Sequence, residues 1–271
     1  MFTGFFLINS FKMVAMKSFA RWLLDSRLIK GPLYTVVGLI SWRWFNTVNK
    51  LQIKGMENMD DLPKTNVLFV SNHQTYFADV ICFLHVFCAR SWGRKTRLGI
   101  PFYLLWPFTR VKFIAAEETM KSNFISRLFA LAGAVTIKRT WRAKGETVKR
   151  QRDENDTQKI DEALAKNWVI TFPQGTTKPF APGRKGTAHI IKNNRPVVVP
   201  VIISGFWRAF DKKGLRFKKR GTQLSITIKP PLQINYNADP CDILEQVMSA
   251  IEQSSAYKFK GRHHAILLKE Q

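Results

Sequence analysis

From residue 66 onward, short apolar runs alternate with longer stretches whose apolar residues recur at helical spacing. Residues 67–70, 111–115, 134–137, 168–172 and 197–203 are near-continuous apolar runs, as strands buried on both faces of a sheet should be. Residues 80–88, 124–131 and 156–166 read as helices between them, and 239–253 as a last helix opened by Asp239-Pro240. Residues 224–228 differ, because their apolar positions alternate with Ser225 and Thr227 in the pattern of a strand near a sheet edge. Strands and helices in alternation predict an α/β fold, a mixed and partly parallel sheet flanked by helices.

The first fifty residues follow another pattern. They are rich in Phe, Trp, Leu, Lys and Arg, and Asp25 is their only carboxylate. Met16, Phe19, Trp22 and Leu23 recur at three- and four-residue spacing, with Lys17, Arg21 and Asp25 on the opposite side of the same helix. Gly31-Pro32 punctuates, and residues 34–44 supply a second apolar stretch interrupted by Arg43. Two short helices lying in a membrane interface fit this composition, aromatics at headgroup depth and cations toward anionic lipid. A helical hairpin packed on the protein's own core is the alternative. The expected organisation is a membrane-associating helical segment over 1–55, a main domain over 56–257 and a basic tail over 258–271.

The longest stretch without charge, 65–78, has fourteen residues, fewer than the roughly 20 that a membrane-crossing helix needs. The expectation is therefore association with the cytoplasmic face of a membrane, monotopic or peripheral, without a span. The start is a poor signal peptide, since its apolar residues precede the first lysine, Lys12.

Charge narrows the partners. Forty-three Lys and Arg against nineteen Asp and Glu leave a formal charge of +24 and a pI near 10.3, which predicts nucleic acid, anionic membrane lipids or phosphorylated substrates. No RNP, KH or zinc-finger pattern is present and the cations are spread along the chain, so a basic RNA-binding protein is the weaker alternative and no nucleic acid is expected. Cys82, Cys88 and Cys241 form no CxxC pair and have no suitably spaced His, which argues against a disulfide framework and a zinc site; no cofactor or metal is expected.

Two loops that follow buried strands carry titratable and polar side chains, and α/β folds place their ligands at such strand ends. The first is Ser71-Asn72-His73-Gln74-Thr75-Tyr76-Phe77-Ala78-Asp79. An imidazole near neutral pH can take a proton from a hydroxyl, and a nearby carboxylate fixes its tautomer. On a continuous helix His73 and Asp79 would lie on different faces, so they can meet only across a loop and a helix start. The second loop is Thr171-Phe172-Pro173-Gln174-Gly175-Thr176-Thr177-Lys178-Pro179, whose glycine and exposed amides could receive an anion. Lys138 and Arg139 close a third block, 133–139, and a guanidinium there can grip a phosphate through two parallel hydrogen bonds. A proline-containing apolar strand, 195–201, is the fourth.

Together these blocks resemble the glycerolipid acyltransferase superfamily, most closely its 1-acyl-glycerol-3-phosphate acyltransferases. The resemblance implies that Asn72-His73 with Asp79 is the catalytic dyad, that 133–139 contributes an acceptor-phosphate ligand in Arg139, that 172–177 shapes the acceptor site, and that Val199-Pro200-Val201 borders a hydrophobic site. The sequence departs from the pattern in three places. Five residues rather than four separate His73 from Asp79, Gln174 stands where Glu is usual, and Thr177 where Arg is usual, with Lys178, Arg184 and Lys185 as looser cations nearby.

The implied reaction is transfer of a fatty acyl chain from a thioester, acyl-CoA or acyl carrier protein, to the free hydroxyl of a lysophospholipid. His73 acts as general base and Asp79 orients it. Arg139, Gln174, Gly175, Thr176 and Lys178 bind substrate, and backbone amides near Gly175 steady the oxyanion. 1-Acyl-glycerol-3-phosphate is the first expected acceptor, giving phosphatidic acid; another lysophospholipid or an amino-acid-based lipid is the alternative.

Overall fold

The structure, a computed structural model, describes residues 27–258 apart from 121–123, 139–141, 144–145 and 148–153. The first expected helix, with Met16 to Asp25, therefore lies outside the described residues, as do Arg139 and most of the basic tail.

Seven strands form one sheet: β1 (Lys50–Lys54), β2 (Val67–Ser71), β3 (Val111–Ala116), β4 (Ala134–Ile137), β5 (Trp168–Thr171), β6 (Val197–Ser204) and β7 (Gln223–Ile228), in the order β1-β7-β6-β2-β5-β3-β4. Every neighbouring pair is parallel except β6 with β7. The mixed, partly parallel sheet is thus as the alternation predicts. Among the described residues, six helices of eight residues or more flank it: α1 (Arg27–Arg43), α2 (Ala78–Ser91), α3 (Phe124–Leu131), α4 (Glu154–Lys166), α5 (Lys185–Asn194) and α6 (Pro240–Ala250).

The pleat explains the two-sided core. Val67 and Phe69 of β2 join one buried cluster with Phe83 and Phe87 of α2, while Leu68 and Val70 join another with Leu164, Ile191 and Val247 from α4, α5 and α6. Successive side chains point to opposite faces, so a strand covered on both sides must be apolar throughout. All five residues of β2 are buried. A large side chain such as Phe69, packed 4.8 Å from the Phe87 ring, contributes roughly 1.5–3 kcal/mol by leaving water.

Two elements differ from the sequence pattern. Gly31-Pro32 does not break the chain, because α1 runs through both. Proline removes one hydrogen bond to the preceding turn, and the helix carries on past it to Arg43. β1 lies before the first strand that the apolar runs reveal; its sequence, Lys-Leu-Gln-Ile-Lys, is polar at both ends and buries only Ile53, which suits an edge strand. α1 also answers the hairpin alternative in part. Tyr34, Ser41 and the following Phe45 are buried against the core, whereas Val36 and Ile40 remain 57% and 62% exposed.

Candidate active site

Parallel pairing sends the C-terminal ends of β2, β5, β3 and β4 to one edge of the sheet. The blocks after β2, β5 and β4 consequently open at the same edge, where ligands of such sheets bind.

After Ser71 the chain leaves the sheet and forms a loop before α2 begins at Ala78, which places Asp79 in the first helical turn. The loop then closes on that carboxylate. Asp79 Oδ2 accepts from the backbone amides of Gln74 at 2.6 Å and Thr75 at 3.0 Å, and Oδ1 accepts from the Thr75 hydroxyl at 2.7 Å. The fourth partner is His73, whose Nδ1 lies 2.9 Å from Oδ2. His73 and Asp79 therefore meet across a loop and a helix start, and the additional residue between them is absorbed by the loop. Asp79 is wholly buried and the His73 side chain 14% exposed. With Nδ1 donating to the carboxylate, Nε2 carries the lone pair, and it makes no hydrogen bond among the described residues.

The surroundings hold the imidazole in place. Its ring stacks on Phe172 at the end of β5, centroids 4.0 Å apart and planes 22° from parallel. Asn72 clamps the loop base to β6, donating to the Ile203 carbonyl and accepting from its amide, both at 2.8 Å. The Gln74 side-chain Oε1 accepts from the Phe206 amide at 2.9 Å. Thr75, Asn72 and Phe172 stand within the motifs the sequence singles out, but their roles follow only from these contacts.

The loop after β5 is built on neutral amides. Gln174 is buried, and its Nε2 donates to the Ala181 carbonyl at 3.0 Å and to Oε1 of Gln253 at 3.2 Å; the same Oε1 accepts from the Phe180 amide at 2.9 Å. Gln174 thus faces the protein rather than the open edge. Gln253, just past α6, carries no motif and no signal in the sequence. Gly175 has a φ of +60°, the left-handed region that favours glycine, and its amide donates to the Phe172 carbonyl at 2.9 Å. That amide is accordingly engaged and not an oxyanion donor; the free amides near it are those of Thr176 and Thr177. Lys178 is exposed, its amide bound to the Thr176 hydroxyl at 3.3 Å. In the third block the Lys138 amide donates to Asp156 at 2.7 Å.

An apolar pocket, partly open to solvent, lies between α1, α2, α3 and the sheet. Leu33, Val80, Ile81, Phe113, Phe129 and Ile170 are among the residues lining it. Val80 and Ile81 directly follow Asp79 in the chain and Ile170 lies two residues before Phe172, but His73, Asp79 and Phe172 themselves are not among the lining residues.

The acyltransferase family model matches residues 50–204, which contain every one of these strand-end blocks. The chain belongs to the acyltransferase family. As an acyltransferase it is similar in structure to the 1-acyl-sn-glycerophosphate acyltransferase PlsC of Thermotoga maritima, with a TM-score of 0.46 and 20% identity over 92% of this chain and 87% of that one. No curated protein matches the chain.

Proposed function

We propose that the protein is a membrane-associated O-acyltransferase that moves a fatty acyl chain from a thioester to the hydroxyl of a lysophospholipid, with 1-acyl-glycerol-3-phosphate as acceptor. The observation that carries this reading is the bond between His73 Nδ1 and the buried Asp79, which leaves Nε2 with no hydrogen bond among the described residues. Nε2 takes the acceptor's proton as its oxygen attacks the thioester carbonyl. Asp79 holds the tautomer and stabilises the cation that forms. The tetrahedral intermediate collapses by expelling the thiolate, which recovers the proton from His73, so no covalent enzyme intermediate is needed. Backbone amides of the loop around Gly175, those of Thr176 and Thr177, steady the oxyanion.

The apolar cavity takes an acyl chain. Arg139 and Lys178 hold the acceptor phosphate. The exposed apolar residues of α1, Val36, Leu39 and Ile40, together with the aromatic and basic residues before them, rest on an anionic membrane surface. No helix among the described residues is long and apolar enough to cross a membrane.

The test is to incubate the purified chain with acyl-CoA and 1-acyl-glycerol-3-phosphate in vesicles and to follow by mass spectrometry a lipid gaining one acyl chain. Phosphatidic acid formation supports the reading. Turnover only with other lysolipids keeps the chemistry and replaces the acceptor.

A further inference from the structure

The hairpin after β6 carries a dense run of exposed cations, and it touches the catalytic loop. Between Arg208 and Arg220 the chain carries Arg208, Lys212, Lys213, Arg216, Lys218, Lys219 and Arg220 against a single acid, Asp211. All seven cations are exposed, and none forms an ion pair of 4 Å or less with a described carboxylate. Asp211 does not offset them by bridging outward. Its Oδ1 is turned into the turn, accepting from the amides of Gly214, Leu215 and Arg216 at 2.8–3.1 Å.

The hairpin has a packed inner side and a cationic outer one. Phe210 pairs with Phe217 across it, their rings 5.4 Å apart, and Trp44 packs on both at about 6 Å, so the aromatic side is anchored to the chain end of α1. The turn is bound to the catalytic loop by two backbone bonds, from the Tyr76 amide to the Lys212 carbonyl at 3.1 Å and from the Phe77 amide to the Lys213 carbonyl at 2.9 Å. Gly214 seals this contact. A Cβ there would fall 2.6 Å from the Ala78 amide and 2.8 Å from the Thr75 hydroxyl that holds Asp79. Lys212 Nζ lies 5.8 Å from the Tyr76 ring, which in turn lies 6.4 Å from the His73 ring. The cations therefore begin next to the dyad and extend away from it.

We propose that this hairpin, Arg208–Arg220, binds the phosphorylated nucleotide end of a coenzyme A thioester. The proposal rests on the acyltransferase reading above and deepens it by naming the donor and its site. Seven cations against one carboxylate on a short hairpin suit the diphosphate and ribose phosphate of that donor, and guanidinium groups suit phosphate by paired hydrogen bonds. The half-exposed indole of Trp207 has the Arg208 guanidinium 5.2 Å from its ring centre. It offers an adenine a stacking face that a carrier protein would not use. Lys212, the cation nearest the dyad, receives the diphosphate, and the pantetheine arm runs from there so that the thioester carbonyl reaches His73. Residues 208–220 also lie beyond the segment, 50–204, over which the family model matches.

The test compares the full-length chain with its Lys218→Ala/Lys219→Ala/Arg220→Ala variant, whose fold is checked by circular dichroism. Acyl-CoA is set against acyl-pantetheine, which carries the same thioester without phosphate or adenine. The expected result is a KM for acyl-CoA raised about tenfold with kcat held within about twofold, and an unchanged KM for acyl-pantetheine. Trp207→Ala should raise the acyl-CoA KM by a smaller factor, and calorimetry should show 3′,5′-ADP binding to the wild type and weakened in both variants. Equal acyl-CoA KM values in wild type and triple variant overturn the proposal. A parallel rise for both donors, transfer from acyl carrier protein without 3′,5′-ADP binding, or loss of vesicle binding in place of the KM effect overturns it too. If the wild type transfers from no donor, the acyltransferase reading fails, and 3′,5′-ADP binding still decides the hairpin by itself.

Discussion

Two histidines, one in the loop before α2 and one midway along it, have opposite surroundings. His73, in the loop before the helix, gives one nitrogen to a buried carboxylate and keeps the other free. His85, inside the helix, is wholly buried, its Nε2 2.9 Å from the Ser41 hydroxyl and its Nδ1 2.9 Å from the Tyr103 hydroxyl, with the Phe45 ring edge-on at 5.5 Å. No carboxylate meets it, so burial pushes it down to about 3 and it stays neutral at any physiological pH. It fastens α1, α2 and the turn Pro101–Leu104 to one another. A histidine becomes a base here through a free nitrogen and a charged partner, and one with both nitrogens taken becomes a tether.

Removing the free nitrogen is the strongest way to break the contrast. His73→Ala should lower acyl transfer by about a hundred- to ten-thousand-fold, the usual contribution of a positioned general base, while lowering the melting temperature only modestly, since Asp79 keeps its bonds from Gln74 and Thr75. Turnover by the variant at the wild-type rate would take His73 out of the mechanism. Asp79→Asn should come next, at about a hundredfold or more in kcat, since the amide cannot both accept four hydrogen bonds and hold the imidazole tautomer. This variant also leaves buried donors of the loop without acceptors, at about 1–3 kcal/mol for each one unsatisfied. Denaturant unfolding beside single-turnover rates separates the two losses.

The same contrast shows what was legible in the sequence. Apolar runs after residue 66 mark five of the seven strands of the main sheet, because strands covered on both faces must be apolar throughout, and alternation marks a sixth, 224–228. β1 escaped, being an edge strand with charged ends. In the site, His73 and Asp79 were legible as polar residues emitted at a strand end. Their meeting required a loop, which composition does not specify. Gln174 looked like a substrate ligand by motif and proves to bond Ala181 and Gln253 inside the protein. Its partner Gln253 is a long-range contact from beyond α6, and the tether of Ser41, His85 and Tyr103 likewise joins three separate elements. Periodicity reports one element's buried face, not which distant side chain fills it.

The tether itself gives a smaller effect of a different kind. His85→Phe keeps the ring volume and leaves the Tyr103 hydroxyl without its partner, at a cost of about 1–3 kcal/mol. For a chain of this size that corresponds to a melting temperature lower by about 2–4 °C per kcal/mol. Turnover on acyl-CoA at a permissive temperature should stay near wild type. A catalytic collapse comparable to that of His73→Ala would erase the distinction between the two histidines.

The smallest effect lies in the pH dependence. His85 has an ordinary value of 6.5 and is held at about 3 in the folded chain, so between these limits the unfolded chain binds a proton that the folded chain does not. Stability from this group is complete above about pH 6.5 and is lost as pH falls toward 3, by up to about 1.4 kcal/mol per pH unit. The window from pH 7 to 5 isolates it, because carboxylates of the unfolded chain, near 4, are still mostly ionised there. Urea unfolding at pH 7, 6 and 5 should show stability declining in the wild type. In His85→Phe the decline should be shallower by about 1 kcal/mol over the last unit. Parallel pH profiles for the two chains would mean that the imidazole takes up its proton without unfolding, and that the contrast with His73 is one of position alone.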